Sequence, residues 1–136
     1  MDIKATLTAL WAAIARQDAD AMRAYFTPQA VICWHNTDEQ FTLEEYLRAN
    51  CEYPGSWRGR LERAELLEGG AVSAARVWAA DGSAALHAVS FYRFENGRIA
   101  RMDEYWGDDG AAPAWRQALG LGRPIAPENG GGGGRQ

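Results

Sequence analysis

Two adjacent carboxylates near the end of the domain are the first candidates for chemistry. The stretch "RMDEYWGDD" places Asp103 beside Glu104, directly before a Tyr-Trp pair. Successive side chains of a strand face opposite sides, so only one of the two can point inward. The alternating sets are Ala100, Met102, Glu104 and Trp106 on one side and Ile99, Arg101, Asp103 and Tyr105 on the other. The first set is the more apolar, which predicts that Glu104 faces the interior and Asp103 faces outward.

A carboxylate enclosed by Met102 and Trp106 loses hydrating water, and its pKa rises because burial disfavours the charged form. Such a group can remove a proton from carbon and return it elsewhere. The matching reactions are isomerisation, cyclisation or dehydration of an apolar carbonyl compound. Ser90, Tyr92 or Asn36 would then donate a hydrogen bond to the developing oxyanion, which makes Glu104, Ser90 and Asn36 the candidate catalytic residues.

An alternative keeps the same carboxylate without catalysis. If Arg76 faces inward it pairs with Glu104 and lowers the pKa instead, leaving a structural ion pair or a simple ligand contact. The sequence leaves both interpretations open.

Aromatic residues are frequent enough to line a pocket as well as fill a core, with six Trp and five Tyr in 136 residues. The side chains predicted to bind a small apolar or aromatic molecule are Trp34, Trp57, Arg76, Trp78, Tyr92, Met102 and Trp106. Some of the tryptophans must simply pack in the core.

Charge and composition argue against several classes of protein. The formal net charge is -4 and no block of Lys and Arg is present, so neither nucleic acid nor an anionic membrane is an expected partner. With two His, two Cys and no Gly-rich phosphate loop, we expect no metal and no cofactor. The N-terminal segment has helical spacing with charges at both ends, unlike a signal peptide, and a cytoplasmic location is expected.

The order of predicted elements is helices first and strands afterwards, an α+β arrangement. The first helix is predicted from apolar residues at helical spacing, namely Ile3, Leu7, Leu10, Trp11 and Ile14. Asp18 or Asp20 caps a short second helix, which ends before Pro28. A third helix begins at Thr42, which forms a capping box with Glu45. Predicted strands are 30–36, 57–67, 72–80, 84–95 and 98–106, with Asp38 and Glu39 in a polar loop and a short closing helix before Gly120. One domain, residues 1–122, is expected, followed by a Gly-rich disordered extension, residues 123–136.

The strand 84–95 has large apolar groups on both of its sides. Val89 and Phe91 lie on the side opposite Ser90 and Tyr92, so they would expose an apolar patch on the outer sheet face. This pattern predicts a homodimer formed through that face.

The segment "FYRFENGRIARMDEYWGDD" resembles the C-terminal hairpin of the nuclear transport factor 2-like superfamily and is similar to that of ketosteroid isomerases and SnoaL-like polyketide cyclases. The resemblance implies a cone-shaped roll, in which a curved antiparallel sheet wraps around N-terminal helices and encloses a deep apolar pocket. It also implies frequent dimerisation through the sheet. One such fold hosts isomerases, cyclases, dehydratases, epoxide hydrolases and proteins without activity.

Only some of the functional residues of these families have a matching residue in this sequence. Counting from Gly97, Glu104 falls where the cyclases have their acid/base aspartate, whereas Ser90 replaces their pocket histidine and Trp34 stands near the catalytic base of the isomerases. The chain is therefore predicted not to be a ketosteroid isomerase. A register slip would exchange Trp34 for His35 in the pocket. The opposing hypothesis is a dimeric ligand-binding or accessory module of the same fold that does no chemistry.

Overall fold

Two helices open the chain, a third follows the first two strands, and the remaining strands come after it, with boundaries that match most of the predicted ones. The computed structural model describes residues 2–127. Its elements are α1 (Ile3–Ala15), α2 (Ala19–Arg23), β1 (Phe26–Trp34), a 3-10 turn (His35–Thr37), β2 (Glu39–Thr42), α3 (Leu43–Cys51), β3 (Trp57–Leu67), β4 (Gly70–Ala79), β5 (Ala85–Glu95), β6 (Arg98–Asp108) and α4 (Ala114–Ala118).

The strands form one curved six-stranded sheet in the order β2-β1-β6-β5-β4-β3. All neighbouring pairs are antiparallel except β1 and β6, which run parallel. Helix α1 packs on β3 and α3 packs on β1, so both helices cover the inner face of the sheet. The α+β cone-shaped roll predicted from the sequence is confirmed.

Helices α1, α2 and α3 begin where side-chain oxygens accept hydrogen bonds from free backbone N–H groups. Asp2 accepts from the amide of Ala5 at 3.1 Å and Asp18 accepts from that of Ala21 at 3.1 Å. The predicted capping box of α3 is present: the Glu45 carboxylate accepts from the Thr42 amide at 2.9 Å, and the Thr42 hydroxyl oxygen accepts from the Glu45 amide at 3.2 Å. The apolar stripe of α1 is then turned to the core, where Leu7, Leu10, Trp11 and Ile14 are buried.

The region around Pro28 departs from the predicted pattern. Strand β1 starts at Phe26, and its pairing with β6 is irregular from Phe26 to Val31. Pro28 lacks an N–H group and is tolerated there because no regular ladder bond is required of it. The strand ends at Trp34 rather than Asn36. Asp38, in the left-handed region at φ 55°, turns the chain into β2, so the polar loop predicted at Asp38 and Glu39 is partly a strand.

Strand β6 contains a bulge that shifts the face of one residue. Arg93 pairs with Arg101 but Phe94 pairs with Ile99, which leaves Ala100 as an extra residue. Ile99 is consequently buried in the core, and its predicted outward position is wrong. From Arg101 onward the alternation holds: Met102 and Glu104 are buried, while Tyr105 is exposed.

The outer sheet face carries three large exposed apolar side chains, Val89, Phe91 and Tyr105. The predicted C-terminal disordered extension lies outside the described residues from residue 128 onward. None of the helices within residues 2–127 has the length and apolar character needed to cross a membrane.

Candidate active site

A row of polar side chains crosses the inner face of the sheet. Trp34 of β1 pairs with Glu104 of β6, Glu104 with Ser90 of β5, and Ser90 with Ser73 of β4. Residues directly opposite each other in neighbouring strands present their side chains to the same face. The register of the sheet therefore collects these four side chains from distant parts of the chain.

Glu104 is the charged residue at the centre of this row. It is 5% exposed. Its Oε1 accepts a hydrogen bond from the Trp34 indole at 3.0 Å, and its Oε2 accepts one from the Ser90 hydroxyl at 2.7 Å. Burial raises the pKa of Glu104 above its usual range, although both hydrogen bonds act in the opposite direction. The predicted inward orientation of Glu104 is confirmed.

A second hydrogen-bonded group lies next to the first. The Trp11 indole donates to the Tyr92 hydroxyl at 2.9 Å, and that hydroxyl lies 2.6 Å from the Ser73 hydroxyl. Burial raises the pKa of Tyr92 to about 12, although the hydrogen bonds with Ser73 and Trp11 act in the opposite direction. Because Ser73 and Ser90 are paired across β4 and β5, the two groups form one polar layer inside an otherwise apolar core.

Aromatic rings surround the Trp34 side of Glu104. The ring centroid of Trp34 lies 4.7 Å from that of Phe41, 6.2 Å from Tyr46 and 6.4 Å from Trp106, each in a steep, edge-on arrangement. Edge-to-face packing of this kind stabilises aromatic clusters beyond their burial. Together with buried Met102, these rings separate Glu104 from solvent.

Asp103 has the opposite environment. It accepts two hydrogen bonds from Arg101, at 2.8 and 3.1 Å, and lies 2.8 Å from His35 Nε2. Arg101, and after it His35, hold the pKa of Asp103 below its ordinary value. His35 also stacks on exposed Tyr105 at 4.3 Å. The choice left open by the sequence is thus resolved: Trp34 faces Glu104, and His35 lies outside.

Arg76 and Trp78 do not belong to the inner face, which corrects their predicted place in the pocket. In β4 they alternate with Ser73 and Ala75, whose side chains are buried in the core. Arg76 pairs with Asp109 at 3.0 Å, and its guanidinium lies 5.2 Å from the centre of the Trp78 ring. Arg76 is therefore not the partner of Glu104.

Trp57 and Asn36 also form their hydrogen bonds with the backbone and not with Glu104. The Trp57 indole donates to the carbonyl of Pro54 at 2.9 Å and its ring packs against Tyr53, apart from the rings around Trp34. The Asn36 side chain donates to the Trp106 carbonyl and accepts from the Trp106 amide at 2.8 Å. Asn36 thus fastens the 3-10 turn to the end of β6, because both its amide groups are occupied by backbone.

Two surface clefts lie near the α3 helix, and Glu104 lines neither. One, of about 390 Å³, has Arg23, Phe26, Glu44 and Arg98 among its lining residues. The other, of about 510 Å³, is bounded by Phe41, Tyr53 and the polar face of α3. Phe41 also packs on Trp34, so these two rings connect the larger cleft to the Glu104 carboxyl group. Within residues 2–127 no three His, Cys, Asp or Glu side chains are grouped so as to hold a metal ion.

Sequence reasoning missed two polar members of the interior, Tyr46 and Ser73, and it placed Trp11 only in the apolar stripe of α1. Ser73 alternates with alanines on the inner side of β4, which was a usable indication. Tyr46 has the helical spacing of a core residue, between buried Leu43 and Leu47, and nothing in that pattern distinguishes it from packing.

Comparison with known proteins agrees with this architecture. A nuclear transport factor 2-like protein of unknown function from Burkholderia xenovorans LB400 superposes with a TM-score of 0.73 at 21% identity, covering 91% of this chain and 95% of that one. A candidate ketosteroid isomerase from Kribbella flavida DSM 17836 gives 0.72 at 23% identity, covering 90% and 89%. A candidate SnoaL-like polyketide cyclase from Jannaschia sp. CCS1 gives 0.63 at 16% identity, covering 76% and 83%.

These structural similarities concern the fold, since every identity is low. No curated protein matches the sequence. The sequence model of the SnoaL-like domain matches residues 7–102 and stops two residues before Glu104. The match covers more than half of the chain, and the chain belongs to the SnoaL-like domain family.

Proposed function

We propose that this protein binds a small apolar carbonyl compound and transfers a proton on it, with Glu104 as the proton shuttle. The observation that supports the proposal is a carboxyl group buried among neutral partners. Its two hydrogen bonds come from Trp34 and Ser90, and no cationic side chain of residues 2–127 pairs with it. A carboxylate held in this way is a stronger base than one in water, because its charged form is poorly solvated.

The proposed reaction starts at a C–H bond next to a carbonyl. Glu104 takes the proton, and the electron pair of the C–H bond moves toward the carbonyl oxygen, giving an enolate and a neutral Glu104. Where a double bond is conjugated with the enolate, return of the proton from Glu104 to the far carbon of that double bond completes an isomerisation. Attack of the enolate carbon on a second carbonyl, whose oxygen takes the proton from Glu104, gives cyclisation. Departure of a β-hydroxyl group together with that proton, as water, gives dehydration.

Access to Glu104 requires that the Trp34 indole leave Oε1. Trp34 is partly exposed at the end of β1 and packs on Phe41, which lines the 510 Å³ cleft. A flat substrate entering there would replace the indole against the carboxyl group. Ser90 would keep Oε2 in place meanwhile, and Met102, Tyr92 and Trp106 would form the apolar walls. Asn36 would act by positioning Trp106 rather than by donating to the substrate.

Hydrogen exchange of 1-tetralone in D₂O tests this reaction class directly. This flat ketone has exchangeable C–H bonds beside its carbonyl, and proton NMR follows their loss. We expect the wild-type protein to accelerate exchange and Glu104→Gln to abolish the acceleration. Asp103→Asn is the matched control: the adjacent carboxylate, on the outer face, should be dispensable for exchange. Equal loss in both variants, or none in Glu104→Gln, contradicts the proposal.

The second candidate function is a dimeric binding module without chemistry. Exposed Val89, Phe91 and Tyr105 favour a homodimer through the outer sheet face, which we propose for either function. The burial of Glu104 favours a binder, because the carboxyl group is 5% exposed and a substrate reaches it only if Trp34 moves. A ligand that binds the wild type and Glu104→Gln equally, with no exchange catalysed by either, would identify the module. A cytoplasmic location stays a prediction of the sequence.

A further inference from the structure

The hydrogen-bond donors around Glu104 are nearly all in use. Trp34 and Ser90 donate to Glu104 itself. The Tyr92 hydroxyl is engaged by Trp11 and Ser73, and the Asn36 amide is bonded to Trp106 backbone. Ser90 and Tyr92 are therefore not free to bond the oxygen of a bound molecule, and Asn36 is held against the backbone of Trp106.

Tyr46 differs from all of these residues. It is 1% exposed, and its ring packs between Phe26 at 5.7 Å and Trp34 at 6.2 Å. Its hydroxyl forms no hydrogen bond with any residue of 2–127. Within the same range, every side-chain nitrogen or oxygen atom that solvent cannot reach has a hydrogen-bond partner. The unpaired hydroxyl of Tyr46 is therefore accessible to solvent, and the small accessible part of Tyr46 includes this oxygen.

An unpaired hydroxyl on a buried ring costs free energy unless something bonds it. The space it touches admits a water-sized group, and the ring beside it is that of Trp34, which holds Glu104. Burial, and after it the charge of Glu104, raise the pKa of Tyr46 well above its usual range. The phenol thus stays neutral and keeps its proton for donation.

We propose that the Tyr46 hydroxyl donates the hydrogen bond that orients the oxygen of the bound molecule. The ligand class is a flat, largely apolar ring system with one carbonyl or enol oxygen at its edge. Aromatic rings border Tyr46 and favour a flat apolar ligand, and the single donor of Tyr46 matches one ligand oxygen. This inference deepens the proposed function and rests on it for the role of Glu104. The proposed role of Tyr46 as a hydrogen-bond donor requires only that such a molecule binds.

The binding test uses 1-naphthol, which resembles the enol of 1-tetralone, and naphthalene, which lacks the oxygen. Dissociation constants are measured by fluorescence titration for the wild type and Tyr46→Phe. We expect about a tenfold loss of 1-naphthol affinity in Tyr46→Phe, the usual effect of one lost hydrogen bond. Naphthalene affinity should change less than about twofold. Equal losses for both ligands, unchanged 1-naphthol affinity, or no binding of 1-naphthol to the wild type each overturn the proposal.

Thermal melting separates a ligand donor from a structural hydroxyl. Removing the unpaired Tyr46 hydroxyl should leave the melting temperature unchanged or raise it. Tyr92→Phe is the matched comparison, because its hydroxyl is bonded by Trp11 and Ser73, and its melting temperature should fall. A fall in Tyr46→Phe as large as in Tyr92→Phe means that the hydroxyl has an internal partner, which overturns the proposal.

The two proposals fail in different ways. If 1-naphthol binding depends on Tyr46 while 1-tetralone shows no catalysed exchange, the donor stands and the catalytic function is wrong. If exchange depends on Glu104 but 1-naphthol binds equally to the wild type and Tyr46→Phe, the catalytic function stands and the proposed role of Tyr46 is wrong.

Discussion

Asp103 and Glu104 are adjacent in β6, and their carboxyl groups lie on opposite faces of the sheet with opposite pKa shifts. Arg101 and His35 stabilise the charged form of Asp103. Burial destabilises the charged form of Glu104, and its neutral partners Trp34 and Ser90 compensate only in part. Neighbouring residues of the same charge therefore make opposite contributions to the pH dependence of folding.

Glu104→Gln should be more stable than the wild type at neutral pH. The folded-state pKa of Glu104 is raised, so the folded protein binds the proton more tightly than the unfolded chain, and stability falls as pH rises through the folded-state value. Glutamine does not titrate, and its amide can still serve both Trp34 and Ser90. The stability advantage should vanish as pH falls toward about 4.3, the ordinary value of a glutamic acid. Urea unfolding of both proteins as a function of pH measures this difference in the free energy of unfolding.

Asp103→Asn supplies the comparison of opposite sign. The pKa of Asp103 is lowered, so its stabilisation is present above the unfolded-state value and is lost as pH falls through the folded-state value. This variant should be less stable than the wild type at neutral pH and equal to it in acid. Identical pH profiles for the two variants would contradict the assignment of their environments.

Trp34→Phe should destabilise the fold by about 1–3 kcal/mol, because it leaves a buried carboxylate oxygen without its donor. It should also raise the pKa of Glu104 further, since the lost hydrogen bond lowers that value. Chemical denaturation at two pH values measures both effects. The loss should be larger at high pH, where Glu104 must be charged; a loss independent of pH would point to changed ring packing alone.

Asn36→Ala should cost about 1–3 kcal/mol of folding free energy, since two hydrogen bonds to the Trp106 backbone disappear. If Asn36 only positions Trp106, any effect on 1-tetralone exchange should appear with an altered environment of Trp106, visible in near-ultraviolet circular dichroism. Lost exchange with an unaltered spectrum would favour the catalytic role predicted from the sequence.

Phe91→Asp should convert a dimer to a monomer. Phe91, 44% exposed, lies beside Tyr105 on the outer face, with ring centroids 6.2 Å apart. A charge in the centre of an apolar interface is costly to bury. Sedimentation at micromolar concentration measures the state, and Leu119→Asp, in the exposed segment after β6, is the control expected to stay dimeric. A monomeric wild type would end the dimer proposal.

Local patterns predicted the parts of this structure that local chemistry determines. The capping box at Thr42, the strand predicted at 84–95 and the inward side of Glu104 follow from spacing alone. Alternation says which residues share a face but not which face is covered, and Arg76 and Trp78 were placed wrongly for that reason. The bulge at Ala100 reversed Ile99 because it depends on pairing with β5.

The donor set of the site was predicted less well for a related physical reason. A hydroxyl or amide is available to a ligand only if nothing in the fold bonds it first. Asn36 and Tyr92 have suitable chemistry, but tertiary contacts with Trp106, Trp11 and Ser73 occupy them. Such contacts join residues far apart in sequence, so no local pattern reveals them.

The parallel pairing of β1 with β6 joins the first strand of the chain to the last, and Trp34 meets Glu104 at a sequence separation of 70 residues. During synthesis on the ribosome, Trp34 emerges long before its carboxylate partner exists. Contacts of such high sequence separation form late, because the intervening loop must close first. Glu104 therefore stays hydrated in the nascent chain until the final strand docks. The burial that gives this residue its chemistry is then completed in the same step that completes the sheet.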